Sequence, residues 1–259
     1  MSQKQKQRFG GIERLYGTKA FNKFKQTSVV VIGIGGVGSW AAESLARSGI
    51  GGLTLIDLDD ICITNVNRQI HALSDTIGQS KAYIMAKRIA TINPECKVRI
   101  VDEFVDTENI AECLGDNIDY VLEAIDAAVV KAAIIAHCKR NKIPIVSIGA
   151  AGGKTDPSMI KRKDLNKTWN DPLLAKVRSQ LRSFHGFSRN VKRNYGVDCI
   201  YSTEQQKYPD GKGGITQTKP VNGAGLDCET GFGSATHITS NFAQFAVARI
   251  LQRLAAKSV

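Results

Sequence analysis

An α/β fold built on a doubly wound, mostly parallel sheet is predicted by three observations. Short β-branched apolar runs alternate with helix-patterned stretches through the first 150 residues. A glycine-rich turn, Gly33-Ile34-Gly35-Gly36-Val37-Gly38-Ser39, joins the first run to the first of those helical patterns, and Asp57-Leu58-Asp59 ends the second run. Parallel strands covered on both faces read as continuous apolar segments, which is how residues 29–32 read.

The elements follow in order. A strand over 29–32 leads through the glycines into a helix over 39–48, and a second strand covers 53–57. A helix over 79–92 is closed by Asn93-Pro94, because the residue before proline avoids helical geometry. A strand at 98–101, a short helix at 107–114, a strand at 120–124, a helix at 129–140 and a strand at 143–148 complete the alternation. Beyond residue 150 the pattern changes. Residues 151–230 are rich in Gly, Lys, Arg and Asn with brief apolar runs such as 197–201, and read as a basic insert with some strands and a mobile loop near 183–194. Residues 231–259 supply a closing amphipathic helix, over 233–256, that returns to the sheet.

The 259 residues carry a formal charge of +11, unevenly placed. Residues 1–25 sum to +6 and residues 161–193 to +8, leaving −3 for the rest. A basic arm and a basic insert on a nearly neutral body are the footprint of a protein that meets a polyanion. The six cysteines form no C-x-x-C pair, and the chain opens on no signal-peptide pattern, so reduced thiols, a cytoplasmic setting and no zinc knuckle are expected. His, Asn, Gln and Arg interrupt the most apolar long stretch, which excludes a membrane span.

Gly33, Gly35 and Gly38 satisfy G-x-G-x-x-G, the turn that lets backbone amides crowd a phosphate at a helix start, so the fold is Rossmann-like. Asp57, nineteen residues after Gly38, stands where a ribose hydroxyl would sit. That much also suits a nicotinamide-dependent dehydrogenase. Asn65 and Arg68, three residues apart, and Lys81 at the start of a helix add polarity a dehydrogenase does not use but a triphosphate does. Asp126 ends a strand at the carboxyl edge of the sheet, as a helix cap or as a magnesium ligand. Gly149-Ala150-Ala151-Gly152-Gly153-Lys154-Thr155 imitates a P-loop, but its first glycine is one residue too close and Asp156-Pro157 stands where the helix should run.

With these residues placed, the first 150 positions resemble the adenylating domain of the ubiquitin-activating-enzyme superfamily, which includes the sulfur-carrier adenylyltransferases. The likeness rests on the glycine turn, Asp57-Leu58-Asp59, Asn65-Val66-Asn67-Arg68-Gln69, Lys81 and Asp126, in that order. It implies that Gly36 approaches the phosphates, that Asp57, assisted by Asp59, serves the ribose end, that Asn65, Arg68 and Lys81 grip the triphosphate of ATP, and that Asp126 holds Mg2+. It also implies a homodimer in which Arg14 or Arg8 reaches the partner's nucleotide. The zinc-binding cysteine pairs of the sulfur-carrier activators are missing. Arg8-Phe9-Gly10-Gly11, Asn67-Arg68-Gln69-Ile70-His71-Ala72-Leu73, Asn141-Lys142-Ile143-Pro144, Gly196-Val197-Asp198-Cys199 and Asp227-Cys228 instead resemble the tRNA threonylcarbamoyladenosine dehydratase branch.

That branch implies ATP-dependent activation and cyclisation of a carboxylate on the adenosine beside the anticodon. The tRNA backbone would be held by Lys161, Arg162, Lys163, Arg189, Lys192 and Arg193. The branch's link to a cysteine-desulfurase sulfur relay makes Cys228 a candidate sulfur acceptor, against the commoner buried, inert thiol. The alternatives are adenylation of the C-terminal glycine of a ubiquitin-like carrier, and a sulfur-relay adaptor that retains the nucleotide pocket.

Overall fold

A computed structural model describes residues 3–218 and 233–258. Two helices, α1 (Gln3–Tyr16) and α2 (Thr18–Gln26), precede the first strand. Then come β1 (Ser28–Ile32), α3 (Gly38–Arg47), β2 (Gly52–Ile56), α4 (Lys81–Ile92), β3 (Lys97–Val101), α5 (Ile110–Leu114), β4 (Tyr120–Glu123), α6 (Ala128–Arg140) and β5 (Ile145–Ile148). The chain continues through β6 (Ile160–Asp164), α7 (Pro172–Phe184) and β7 (Asp198–Ser202). A short ribbon of β8 (Tyr208–Pro209) and β9 (Ile215–Thr216) precedes the last helix, α8 (Thr236–Ala256).

The strand order is β3-β2-β1-β4-β5-β7-β6, parallel throughout except for β6 against β7. Alternation along β1 explains the two-sided core. Val29 and Val31 join the apolar cluster that contains Phe21 and Phe24 of α2, Leu45 of α3 and Ile250 of α8. Val30 and Ile32 point the other way and belong to the second apolar cluster, which also holds Ile134 and Ile135 of α6 and Leu174, Val177 and Leu181 of α7. The chain leaves β1 for β2 and β3 on one side and returns to β4 and β5 on the other. The crevice between the carboxyl ends of β1 and β4 is therefore the topological switch point, where open α/β sheets bind ligands.

Three regions differ from the sequence expectation. The basic arm is two packed helices: Phe9, Phe21 and Phe24 are buried, and Arg8 donates to the carbonyls of Thr91 and Ile92 at the end of α4. The segment expected as an insert lengthens the same sheet. Its β6 is an edge strand whose exposed Lys161, Arg162 and Lys163 discourage further strand pairing, and those charges hide a strand from a reading by apolar runs. The loop expected near 183–194 is tied down at several points. Asn166 Nδ2 donates to the carbonyls of Asn190 (3.0 Å) and Arg193 (2.6 Å), Arg182 Nε donates to Tyr195 Oη (2.9 Å), and Tyr195 Oη donates to the Ser188 carbonyl (2.7 Å).

Candidate functional site

The glycine turn is built by close approach. Gly33 has φ +84°, and a Cβ there would lie 3.0 Å from Ile125 Cγ2 and 3.1 Å from the Ala124 carbonyl oxygen. At Gly38 a Cβ would stand 1.7 Å from the Gly33 carbonyl oxygen, so only glycine lets α3 start against the end of β1. No side chain caps the first turn of α3, and the Ser39 amide donates to the Gly35 carbonyl at 3.1 Å. Gly36 is closely bounded: a Cβ there would lie 3.1 Å from Thr239 Cγ2 of α8 and 3.4 Å from Arg68 Cγ.

Asp57 follows β2 and is tied to this turn. Its Oδ2 accepts the Ile34 amide at 2.5 Å and its Oδ1 the Asp59 amide at 2.9 Å. Burial pushes the Asp57 carboxyl above its ordinary range, with the Lys81 charge opposing the rise. Asp57 thus ties the glycine turn to the end of β2. Lys81, buried at the start of α4, pairs with Asp59 Oδ2 at 2.6 Å, and its amide donates to the Asp59 carbonyl.

Asn65 is buried, and its side-chain oxygen accepts the Cys62 amide at 3.0 Å, closing the tight turn that carries Arg68. Arg68 Nη1 donates to the Thr64 carbonyl at 2.6 Å and to Asn67 Oδ1 at 3.0 Å. The Arg68 backbone is held in turn by Trp40 Nε1 and Thr239 Oγ1, both donating to its carbonyl. Trp40 and Thr239 escape the sequence reading because one looks like an ordinary helix residue and the other is 171 positions from its partner.

Asp126 lies just past β4 at the opposite wall and makes no hydrogen bond or ion pair among the described residues. Crowding by protein pushes its carboxyl upward; Lys131 opposes this, Asp171 adds to it, and Arg68 opposes it. A carboxylate without a partner among the described residues has the donor chemistry of magnesium, which takes one or two carboxylates and completes its shell with phosphate oxygens and water. No cluster of three or more His, Cys, Asp or Glu side chains suited to a metal occurs among the described residues.

The P-loop imitation is filled from within. The Glu204 carboxylate accepts the amides of Thr155 and Asp156, each at 2.9 Å, where a phosphate would otherwise sit. Lys154 Nζ donates to the Glu204 carbonyl, and Lys207 pairs with the Glu204 carboxylate. Burial would raise the Glu204 carboxyl, yet those amides and Lys207 hold it at about 2. The turn therefore belongs to the scaffold.

The expected tRNA contacts divide into two groups. Lys161, Arg162 and Lys163 lie on the exposed edge strand, whereas Arg189, Lys192 and Arg193 belong to the loop that enters β7 at its amino end, the end of the sheet opposite the glycine turn. Arg14 is exposed on α1 and forms no hydrogen bond or ion pair among the described residues, while Arg8 is engaged at the end of α4. Cys228 lies outside the described residues. No helix among the described residues is long and apolar enough to cross a membrane.

Residues 11–255 match the model of the ThiF family. The tRNA threonylcarbamoyladenosine dehydratase of Escherichia coli (strain K12) is 51% identical over 255 residues, covering 98% of this chain and 95% of that protein. Its Haemophilus influenzae counterpart is 51% identical over 251 residues, covering 97% and 94%. A crystal structure of the E. coli tRNA N6-threonylcarbamoyladenosine dehydratase in complex with ATP superposes with a TM-score of 0.88 at 50% identity, covering 99% of this chain and 97% of that one.

Proposed function

Because the chain belongs to the ThiF family and, within it, to the tRNA threonylcarbamoyladenosine dehydratases, we propose that its pocket uses ATP to activate the threonylcarbamoyl carboxylate of a tRNA adenosine and close it into a ring. The observation that carries the reading is convergence: the glycine turn, Arg68, Lys81 and Asp126 meet at one edge of the sheet. Relatives that match end to end carry that activity in their name, and one has been crystallised with ATP.

A carboxylate is a poor electrophile. Attack of its oxygen on the α phosphorus of ATP forms an acyl-adenylate as the bond to the β phosphate breaks and pyrophosphate leaves. The carbamoyl group of the same side chain then attacks the acyl carbon, expelling AMP and a proton, and the nucleoside is lighter by one water. Both reacting groups belong to one side chain, so orientation supplies much of the rate; effective molarities of about 10⁵ M or more are attainable. No cysteine nucleophile is needed.

The chain's own work is electrostatic. Amides at the start of α3 meet the phosphates, and Asp57 holds both the Ile34 amide and the ribose. Arg68 leaves the Thr64 carbonyl, and Lys81 leaves Asp59, for the phosphate oxygens. Asp126 would hold magnesium, which neutralises charge on the departing pyrophosphate. We further infer a homodimer in which Arg14, exposed and unengaged among the described residues, reaches the partner's nucleotide. Lys161, Arg162 and Lys163 would contact the tRNA backbone nearest the pocket, with Arg189, Lys192 and Arg193 holding a more distant stretch.

The test is incubation with ATP, magnesium and tRNA bearing the threonylcarbamoyl group, followed by mass analysis of the nucleosides. Loss of one water from the modified adenosine is expected. Turnover of a ubiquitin-like carrier protein, with none on tRNA, would instead establish carrier adenylation.

A further inference from the structure

We propose that the buried pair Glu123–Lys131 is the positioning device that presents Asp126 to the nucleotide pocket and holds the Asp126 turn against the glycine turn. The proposal rests on the reading of Asp126 as a residue of that pocket. Neither side chain has any exposed surface, and Lys131 Nζ lies 2.6 Å from Glu123 Oε2 and 2.7 Å from Oε1. Glu123 is the last residue of β4, and Lys131 sits in the first turns of α6, so the pair spans the turn that contains Asp126.

Every remaining contact of the pair bears on that turn or on the neighbouring strand. Glu123 Oε1 accepts the Ile125 amide at 2.8 Å, and Lys131 Nζ donates to the Ile125 carbonyl at 2.9 Å. Both polar groups of the residue before Asp126 are thereby held by one ion pair. Ser147 Oγ on β5 donates to Glu123 Oε2 at 2.8 Å and fixes the carboxylate from the other side. The held residues form the wall that excludes a side chain at Gly33: Ile125 Cγ2 and the Ala124 carbonyl are the atoms a Cβ there would strike. The Ala124 amide also donates to the Ile32 carbonyl at 2.9 Å, tying the turn to the end of β1.

Stability alone is a weak reason for this arrangement. Desolvation offsets most of the attraction between buried charges, and apolar residues of similar volume commonly serve folding as well or better. What an apolar pair cannot do is hold the amide and the carbonyl of one residue at once. Glu123 and Lys131 touch neither nucleotide nor RNA in this reading; they act through Asp126 and Gly33.

The test uses the full-length double variant E123Q/K131M, which removes both charges and nearly preserves volume. Its unfolding temperature should fall by no more than about 12 °C, since no buried charge is stranded and the loss is that of the donor to the Ile125 carbonyl. Turnover on threonylcarbamoyl-tRNA should fall at least about tenfold with KM for tRNA within about twofold, as expected when reacting groups are slightly misplaced. Calorimetry supplies a readout independent of turnover: the gain in ATP affinity on adding magnesium should shrink at least about fivefold, while affinity for ATP alone changes less. Should the double variant fail to fold, S147A removes only one bond to Glu123 and should lower turnover about twofold or more at unchanged KM for tRNA. Parental turnover and parental magnesium dependence in the folded double variant, or parental turnover in S147A if the double variant is unfolded, would overturn the proposal. A parent protein inactive on tRNA would overturn the functional reading instead, leaving the magnesium and ATP measurement as the judge of the ion pair.

Discussion

Gly38 leaves the phosphate turn no freedom for a side chain, since a Cβ would lie 1.7 Å from the Gly33 carbonyl oxygen. Gly38→Ala should cost about 3 kcal/mol or more through forced backbone movement, seen as a fall of about 6 to 12 °C in unfolding temperature. On the proposed roles, Arg68→Ala and Asp126→Ala act on chemistry rather than folding. Each should lower turnover at least about a hundredfold while tRNA affinity, measured by filter binding, stays within about threefold; equal loss of both would contradict the division of labour. His71 is a different case. It is fully buried with both ring nitrogens unpartnered among the described residues, and burial, with Lys81 and Arg88 nearby, lowers it from 6.5 to about 4. Because its folded value is depressed, the unfolded chain takes up the proton first as pH falls. About 3 kcal/mol present above pH 6.5 is thus lost progressively down to about pH 4. The unfolding temperature of the parent should fall relative to His71→Leu through that window, and a constant difference between the two proteins would refute this assignment.

At the scale of elements, legibility followed burial. The parallel strands β1, β2, β4 and β5 are buried apolar runs, and the glycine turn sits between a strand and a helix as its spacing demands. Lys81 and Asp126 could be placed from the sequence because one starts a helix and the other follows a strand that periodicity shows, whereas Arg68 lies in a turn and was placed by its spacing from Asn65 alone. Helices α1 and α2 were missed because their lysines and glutamines mask the buried Phe9, Phe21 and Phe24. Strand β6 was missed because an edge strand dressed in Lys and Arg has no apolar pattern, and α7 because only Leu174, Val177 and Leu181 mark its inner face. The contacts of Glu204, Trp40 and Thr239 join residues far apart in sequence, and no local pattern announces them. The edge strand carries its own prediction. Replacing Lys161, Arg162 and Lys163 together by alanine should reduce the slope of log affinity for tRNA against log salt by about 2 to 3; an unchanged slope would remove that strand from the RNA interface.

Across the whole molecule the sheet separates two sets of side chains. Its carboxyl edge gathers the glycine turn, Asp57, Arg68, Lys81 and Asp126, and its far edge and amino end carry much of the positive charge. In the proposed function a substrate as large as tRNA is met over a wide surface, whereas the acid to be activated enters one crevice. The central claim is that this crevice turns an RNA-borne carboxylate into an acyl-adenylate. The most direct measurement places ¹⁸O in the carboxylate of the threonylcarbamoyl group and follows the label through one turnover with ATP. The account predicts one labelled oxygen in the phosphate of the released AMP. Label in inorganic phosphate with ADP as the other product, or unlabelled AMP, would contradict it.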